Sequence, residues 1–122
     1  MSVYVKINDI QYKASITGRM SDDDWGGRAS KAITLEMTYN EAASTFVDDV
    51  NWFILQDFEN IVERYDEDSN QMIADTVMHT ESYDNSDYSI SGSITDNRDG
   101  TVTVKMGKPT AEELLSMIEE VL

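Results

Sequence analysis

From Tyr88 to Met106 the chain alternates apolar and polar residues. Tyr88, Ile90, Gly92 and Ile94 alternate with Ser89, Ser91, Ser93 and Thr95; beyond Asp96-Asn97-Arg98-Asp99-Gly100, Val102, Val104 and Met106 alternate with Thr101, Thr103 and Lys105. A period of two on both sides of an Asp-Gly turn predicts an antiparallel hairpin with one apolar and one wet face, hence a sheet covered on one side. Val3, Val5 and Ile7, then Ile10, Tyr12, Ala14 and Ile16, broken at Asn8-Asp9, predict a second hairpin at the N-terminus. Lys31 to Met37, with Ile33, Leu35 and Met37 on one face, reads as a third strand, and Trp52-Phe53-Ile54-Leu55 as a fully apolar, central one. Thr17 to Ser30, with Gly18, Asp22-Asp23-Asp24 and Gly26-Gly27, reads as loop. Trp25 within it is either a plug at the edge of the core or a group displayed to a partner; an exposed indole is costly to solubility, which favours the plug.

Two helices complete the pattern. Thr38-Tyr39-Asn40-Glu41 is a capping box, and Ala42, Ala43, Phe46, Val47 and Val50 give a helical apolar stripe expected to end near Asp48-Asp49. Thr110 and Glu113 form a second box ahead of Leu114, Ile118, Val121 and Leu122, with Ala111 and Leu115 alongside. This terminal helix is expected on the apolar face of the sheet, with docking on a partner as the alternative. Residues 57–87 differ in composition: ten acids stand against Arg64 alone, a formal −9 with His79 neutral. Ile61, Val62 and Tyr65 precede a polar turn, Asp66-Glu67-Asp68-Ser69-Asn70, and Met72, Ile73, Val77 and Met78 follow it. That predicts an acidic hairpin or arm with a flexible tip near 66–70, or alternatively a surface helix over part of Glu59 to Tyr65. The whole reads as a single α+β domain over residues 1–122, with a mostly antiparallel sheet of about five to seven strands and two helices packed on it.

Composition narrows the function classes. The 122 residues carry 24 acids against nine bases, a formal charge of −15. Phosphate-rich partners and anionic membranes are disfavoured, because binding them takes Lys and Arg, and a partner with a basic groove is favoured. There is no cysteine, no long apolar run and no signal-like N-terminus, so the cytosol is the expected compartment, with a virion as the alternative.

Candidate chemistry is sparse. His79 is the one histidine and has no G-x-S-x-G nearby, so a surface imidazole is expected in place of a catalytic base. Asp66-Glu67-Asp68-Ser69-Asn70 has oxygens at positions 1, 3 and 5 of a calcium loop, but Gln71 stands where glycine is needed and Val77 where glutamate is needed. With this many acids, a carboxylate pair suggestive of glycoside hydrolysis carries no specificity. No phosphate-binding glycine fingerprint is present. The expectation is a binding or structural protein, not an enzyme, with no cofactor and no metal.

Two blocks carry a resemblance. One is Trp25-Gly26-Gly27-Arg28-Ala29-Ser30-Lys31-Ala32-Ile33-Thr34, continued by Thr38-Tyr39-Asn40-Glu41-Ala42-Ala43, Phe46-Val47-Asp48 and Trp52. The other runs from Tyr83-Asp84-Asn85-Ser86-Asp87-Tyr88 through Ile94 to Lys108. They resemble small acidic proteins encoded by phages and prophages of Gram-positive bacteria. The resemblance spans most of the chain outside about 57–81, and none of its motifs is a catalytic signature. It implies one of two roles: an inhibitor of host defence, including anti-CRISPR proteins, or a virion or tail-assembly component. With the acidic segment it gives a first expectation: a non-enzymatic decoy, a DNA mimic that occupies the basic groove of a host nucleic-acid-binding protein such as a Cas9-type nuclease. The residues expected to carry it are Asp57, Glu59, Glu63, Asp66, Glu67 and Asp68, with Asp22, Asp23 and Asp24 as a second patch. The alternative, a tail or virion component, rests on sheet edges and a terminal helix that could self-associate. Neither reading involves direct contact with nucleic acid or a membrane.

Overall fold

The computed structural model describes residues 2–121. Seven strands form one antiparallel sheet, joined by two α-helices, an α+β arrangement. The strands are β1 (Val3–Ile7), β2 (Ile10–Asp22), β3 (Arg28–Glu36), β4 (Trp52–Asp66), β5 (Gln71–Asp84), β6 (Ile90–Asp96) and β7 (Thr101–Gly107); the helices are α1 (Tyr39–Thr45) and α2 (Ala111–Val121). In space the strands run β5-β4-β1-β2-β3-β7-β6. β2 links two staggered halves: Ile10 to Lys13 pair with β1, and Ala14 to Asp22 pair with β3.

The sheet has to curl. β5 and β6 are its outermost strands, six strand spacings apart, about 29 Å if the sheet were flat. The chain from Asp84 to Ile90 spans at most about 21 Å. Curling brings β4 to the link: Trp52 Nε1 donates to the Tyr88 carbonyl at 3.1 Å and Asn85 N to the Trp52 carbonyl at 2.8 Å. The core fills the concave side. Val5, Ile7 and Trp52 from one half meet Ile33, Leu35, Val102, Val104 and Met106 from the other, and Ala42 and Phe46 of α1 close it.

β4, expected to be central, lies next to the edge strand β5, and β2 takes the middle of the sheet. Three further elements differ from the sequence expectation. Most of the expected loop at 17–30 is strand: β2 continues to Asp22 and β3 starts at Arg28, with a short 3-10 turn at Asp23–Trp25 between them. Gly18 and Arg19 break the apolar alternation, so backbone pairing with Lys31 and Ser30 makes the strand there. Helix α1 stops at Thr45, not near Asp48-Asp49. Asp48 instead accepts from the Ser91 backbone N at 2.8 Å and Oγ at 2.9 Å, while Asp49 takes a left-handed φ of 63°.

Helix α2 starts with the expected reciprocal box: Thr110 N donates to Glu113 Oε1 at 3.0 Å, and Glu113 N to Thr110 Oγ1 at 3.2 Å. It is held by Arg28 to Glu113 at 2.7 Å but does not lay its stripe on the sheet. Leu114, Leu115, Met117 and Ile118 are all exposed, so the expectation of a core-packed terminal helix is corrected. The side chains of Val121 and Leu122, named in that stripe, lie outside the described residues.

Trp25 is a plug. Its indole lies across two glycines: a Cβ on Gly92 would stand 2.6 Å from Trp25 Cη2, and one on Gly107 2.8 Å from Cζ3. The Arg28 guanidinium carbon lies 5.0 Å from the indole centroid.

Candidate interaction surface

β4 and β5 form one unbroken antiparallel ladder from Phe53↔Asp84 to Asp66↔Gln71. β1 accompanies β4 only from Trp52 to Gln56. Beyond that point the two strands pair with each other alone, an arm projecting about 30 Å from the body. The acidic segment is therefore a hairpin arm, and the surface-helix alternative is excluded. Its tip turns through residues 67–70 with Asn70 at φ 58°. Asp66 builds that turn, accepting from Asp68 N at 3.1 Å and from Ser69 Oγ at 3.0 Å. Tyr65 Oη donates to Asn70 Oδ1.

Cross-strand partners share a face, which sorts the arm into two surfaces. One carries Asp57, Glu59, Ile61, Glu63 and Tyr65 with Met72, Ala74, Thr76, Met78 and Thr80. The other, continuous with the core side of Trp52 and Ile54, carries Phe58, Val62 and Arg64 with Ile73, Asp75, Val77 and His79. The polar groups of this core-side face largely satisfy one another, while Val62 and Val77 on it stand exposed. Arg64 Nε donates to Asp75 at 2.6 Å, His79 stacks on Phe58 at 5.3 Å between centroids, and Asn60 Nδ2 and His79 Nδ1 are 2.8 Å apart.

The outer face is less satisfied. Among its carboxylates Asp57 accepts from Thr80 at 2.6 Å, while Glu59 and Glu63 form no ion pair among the described residues. Between them Ile61 is 74% exposed and Met72 61% exposed, with Tyr65 and Met78 also exposed. The sequence points to these apolar positions as strand formers and to the acids as the contact groups, although Glu59, Ile61, Glu63 and Tyr65 already alternate along it. At the tip, Glu67 and Asp68 are exposed.

The proposed second acidic patch is divided by the fold. Asp23 and Asp24 are exposed. Asp22 is 0% exposed, bound to Lys105 Nζ at 2.8 Å and Ser30 Oγ at 2.9 Å, and accepts from Asp24 N at 3.1 Å. Lys105 and Ser30 hold its carboxyl below the usual range. Asp22 is thus a structural anchor where β2, β3 and β7 meet, not a displayed charge, because its carboxylate is spent on internal partners.

No family model, curated protein or solved structure matches this chain.

Elsewhere, Tyr88 carries two cations, Lys31 Nζ at 4.5 Å and Lys108 Nζ at 5.0 Å from the ring centroid. Lys31 also donates to Asn85 Oδ1, and burial lowers its pKa. Lys108 pairs with Asp87 at 3.1 Å, which raises its own. Tyr88 itself packs against the core. An open cleft of about 680 Å³ lies between Gly26 to Ala29 and Lys108 to Glu113. Of its charged groups, Arg28 pairs with Glu113 and Lys108 with Asp87, while Glu112 forms no ion pair among the described residues. Among the described residues no three carboxylate or imidazole groups converge as a metal site, and no helix is long and apolar enough to cross a membrane.

Proposed function

We propose that this chain is a non-enzymatic binding protein that docks its β4–β5 arm onto a protein partner, as a component of a phage virion or tail assembly. The observation that carries this is the outer face of the arm, where Ile61, Tyr65, Met72 and Met78 stand exposed between carboxylates. Large apolar side chains exposed together on one face are a common mark of interaction sites. A charged rim around an apolar centre is the make-up of a protein interface. Two-sided exposure along the distal arm, from which no residue beyond Gln56 enters the core cluster, fits a docking element better than a structural one. The phage setting rests on the sequence resemblance.

The decoy inhibitor is the second reading. It is favoured by the alignment of Asp57, Glu59 and Glu63 on one face and the exposure of Glu67 and Asp68 at the tip. It is weakened by spacing. Asp57 to Glu63 places three carboxylates over about 20 Å, where duplex DNA presents about twelve charges, and apolar side chains interrupt the row.

One experiment separates the two. The tagged chain is compared with a variant in which Asn60 is joined to Val77 through an Asn-Gly turn, in lysate of phage-producing cells. Virion or tail proteins recovered by the full chain and not by the shortened one support the assembly reading. A nuclease displaced by added DNA, and lost at about 0.5 M salt, supports the decoy. Identical recovery by both forms overturns both.

A further inference from the structure

The two outer edges of the sheet are treated differently. β6 is short, its register with β7 shifts between Ser91 and Ile94, and the Trp25 indole covers it at Gly92. Those are devices that stop an edge from recruiting another strand. β5 has none of them. It runs from Gln71 to Asp84 in unbroken register, hydrogen-bonded on one side to β4, with no partner on the other among the described residues. It contains no proline, no glycine and no lysine or arginine, and Met72, Val77 and Met78 stand exposed along it. Its guard is negative charge: Glu81, which accepts from Tyr83, and Asp84, neither paired with a lysine or arginine among the described residues, with Asp75, which Arg64 of β4 already pairs.

A guard of one sign is selective. An acidic strand, a second copy of β5 included, would bring like charges into register, which is destabilising. A basic strand meets no such barrier. We propose that β5 accepts an added strand from a partner protein, in a segment that alternates basic with apolar side chains. This rests on the arm-docking reading and specifies its mode.

The alternation follows from the two faces. Side chains of an incoming strand on the outer face would lie beside Met72, Ala74, Thr76 and Met78, an apolar and small-residue floor. Those on the core-side face would lie beside Asp75, already paired with Arg64, and Glu81, with Ile73, Val77 and His79 between them, so that a basic side chain would lay its stem on the apolar residues and its head toward Glu81. Main-chain hydrogen bonds supply affinity in such pairing, and alternate side chains supply specificity. The free edge of β4 beyond Gln56 is the poorer site, because Arg64 sits on it and the β1 strand blocks its base.

The test uses the full chain and a synthetic peptide of about eight residues alternating lysine and valine. Amide exchange is followed by NMR while the peptide is titrated in. The expected result is about tenfold or greater slowing at every second amide of β5. A peptide of the same charge, N-methylated on alternate backbone nitrogens, should bind at least about tenfold more weakly, and a glutamate-valine peptide should not bind. Equal binding of the methylated and plain peptides, or protection confined to β6 or α2, overturns strand addition. The outcome is separable from the arm-docking reading. If the shortened chain loses its protein partner while the two lysine peptides bind alike, the arm docks through its faces and only strand addition falls. If the shortened chain keeps its partner, the docking reading itself fails.

Discussion

Trp25 and the two glycines beneath it make a quantitative prediction. Gly92→Ala puts a methyl group 2.6 Å from Trp25 Cη2, 2.9 Å from Cζ3 and 3.0 Å from Cζ2. The indole has little room to retreat, because Gly107 and Arg28 border it as well. Overpacking of that kind costs about 1–3 kcal/mol. Alanine in a strand returns about 0.5–1 kcal/mol through the backbone entropy that glycine loses on folding. The net expectation for Gly92→Ala is a loss of about 1–2 kcal/mol. In a Trp25→Ala background the obstacle is gone, and the same substitution should stabilise by about 0.5–1 kcal/mol. The coupling in the double-mutant cycle is therefore about 2 kcal/mol. Urea unfolding followed by far-ultraviolet circular dichroism measures all four corners, with slopes checked for constancy so that midpoints report stability. If Gly92→Ala costs the same with and without Trp25, the plug does not press on β6 and the account of that edge is wrong.

Other outcomes follow from the same structure. Trp52→Ala, which empties the centre of the core where both sheet halves meet, should cost about 3–5 kcal/mol in urea unfolding, a large share of the roughly 5–15 kcal/mol of a domain. Asp22, Asp48 and Glu113 have folded-state pKa values lowered chiefly by Lys105, the Ser91 backbone N–H and the Thr110 backbone N–H respectively. Their contribution is complete above the unfolded carboxyl range, near pH 4, and is lost as pH falls through the lowered folded values. Urea midpoints should therefore fall below about pH 4, and Asp22→Asn should flatten that decline; an unchanged acid limb in the variant would refute Asp22 as an anchor. The Asn60-to-Val77 shortened chain should keep the thermal midpoint of the parent within a few degrees, since the distal arm pairs only with itself; a large drop would show that the arm supports the body.

The sequence made the hairpins legible where apolar and polar residues alternate, as at Val102 to Met106, although the register shift in β6 puts Ile90 on the face opposite Ile94 and so breaks the single apolar face expected there. The Thr110 box forms as the spacing put it, whereas at Thr38 only the forward half does, Glu41 reaching the Thr38 hydroxyl and not its backbone N–H. The sequence was silent where strands form without that signal. Residues 17–22 of β2 are held by backbone pairing, and their one large apolar residue, Met20, is almost fully exposed. Helix α2 shows the opposite failure. An apolar stripe such as Leu114 and Ile118 predicts an amphipathic helix but not what lies against it. For the candidate surface, the acids were visible by count. Their roles were not: Asp22 and Asp66 differ from Glu59 and Glu63 only in what surrounds them, and that depends on pairing between distant strands. The apolar residues of the arm were read as evidence of structure, when the structure leaves them in water.

The curl of the sheet bears on the order in which the protein can be completed. Leu35 finds its second neighbour only in Val102, and Val5 pairs with Ile54. A ribosome therefore releases β3 long before β7 exists to flank it, whereas the arm closes on a local turn as soon as β5 emerges. The nascent chain carries its most acidic piece already formed while its greasiest strands still wait, and that charge is in place to keep neighbouring chains apart until the last strand arrives.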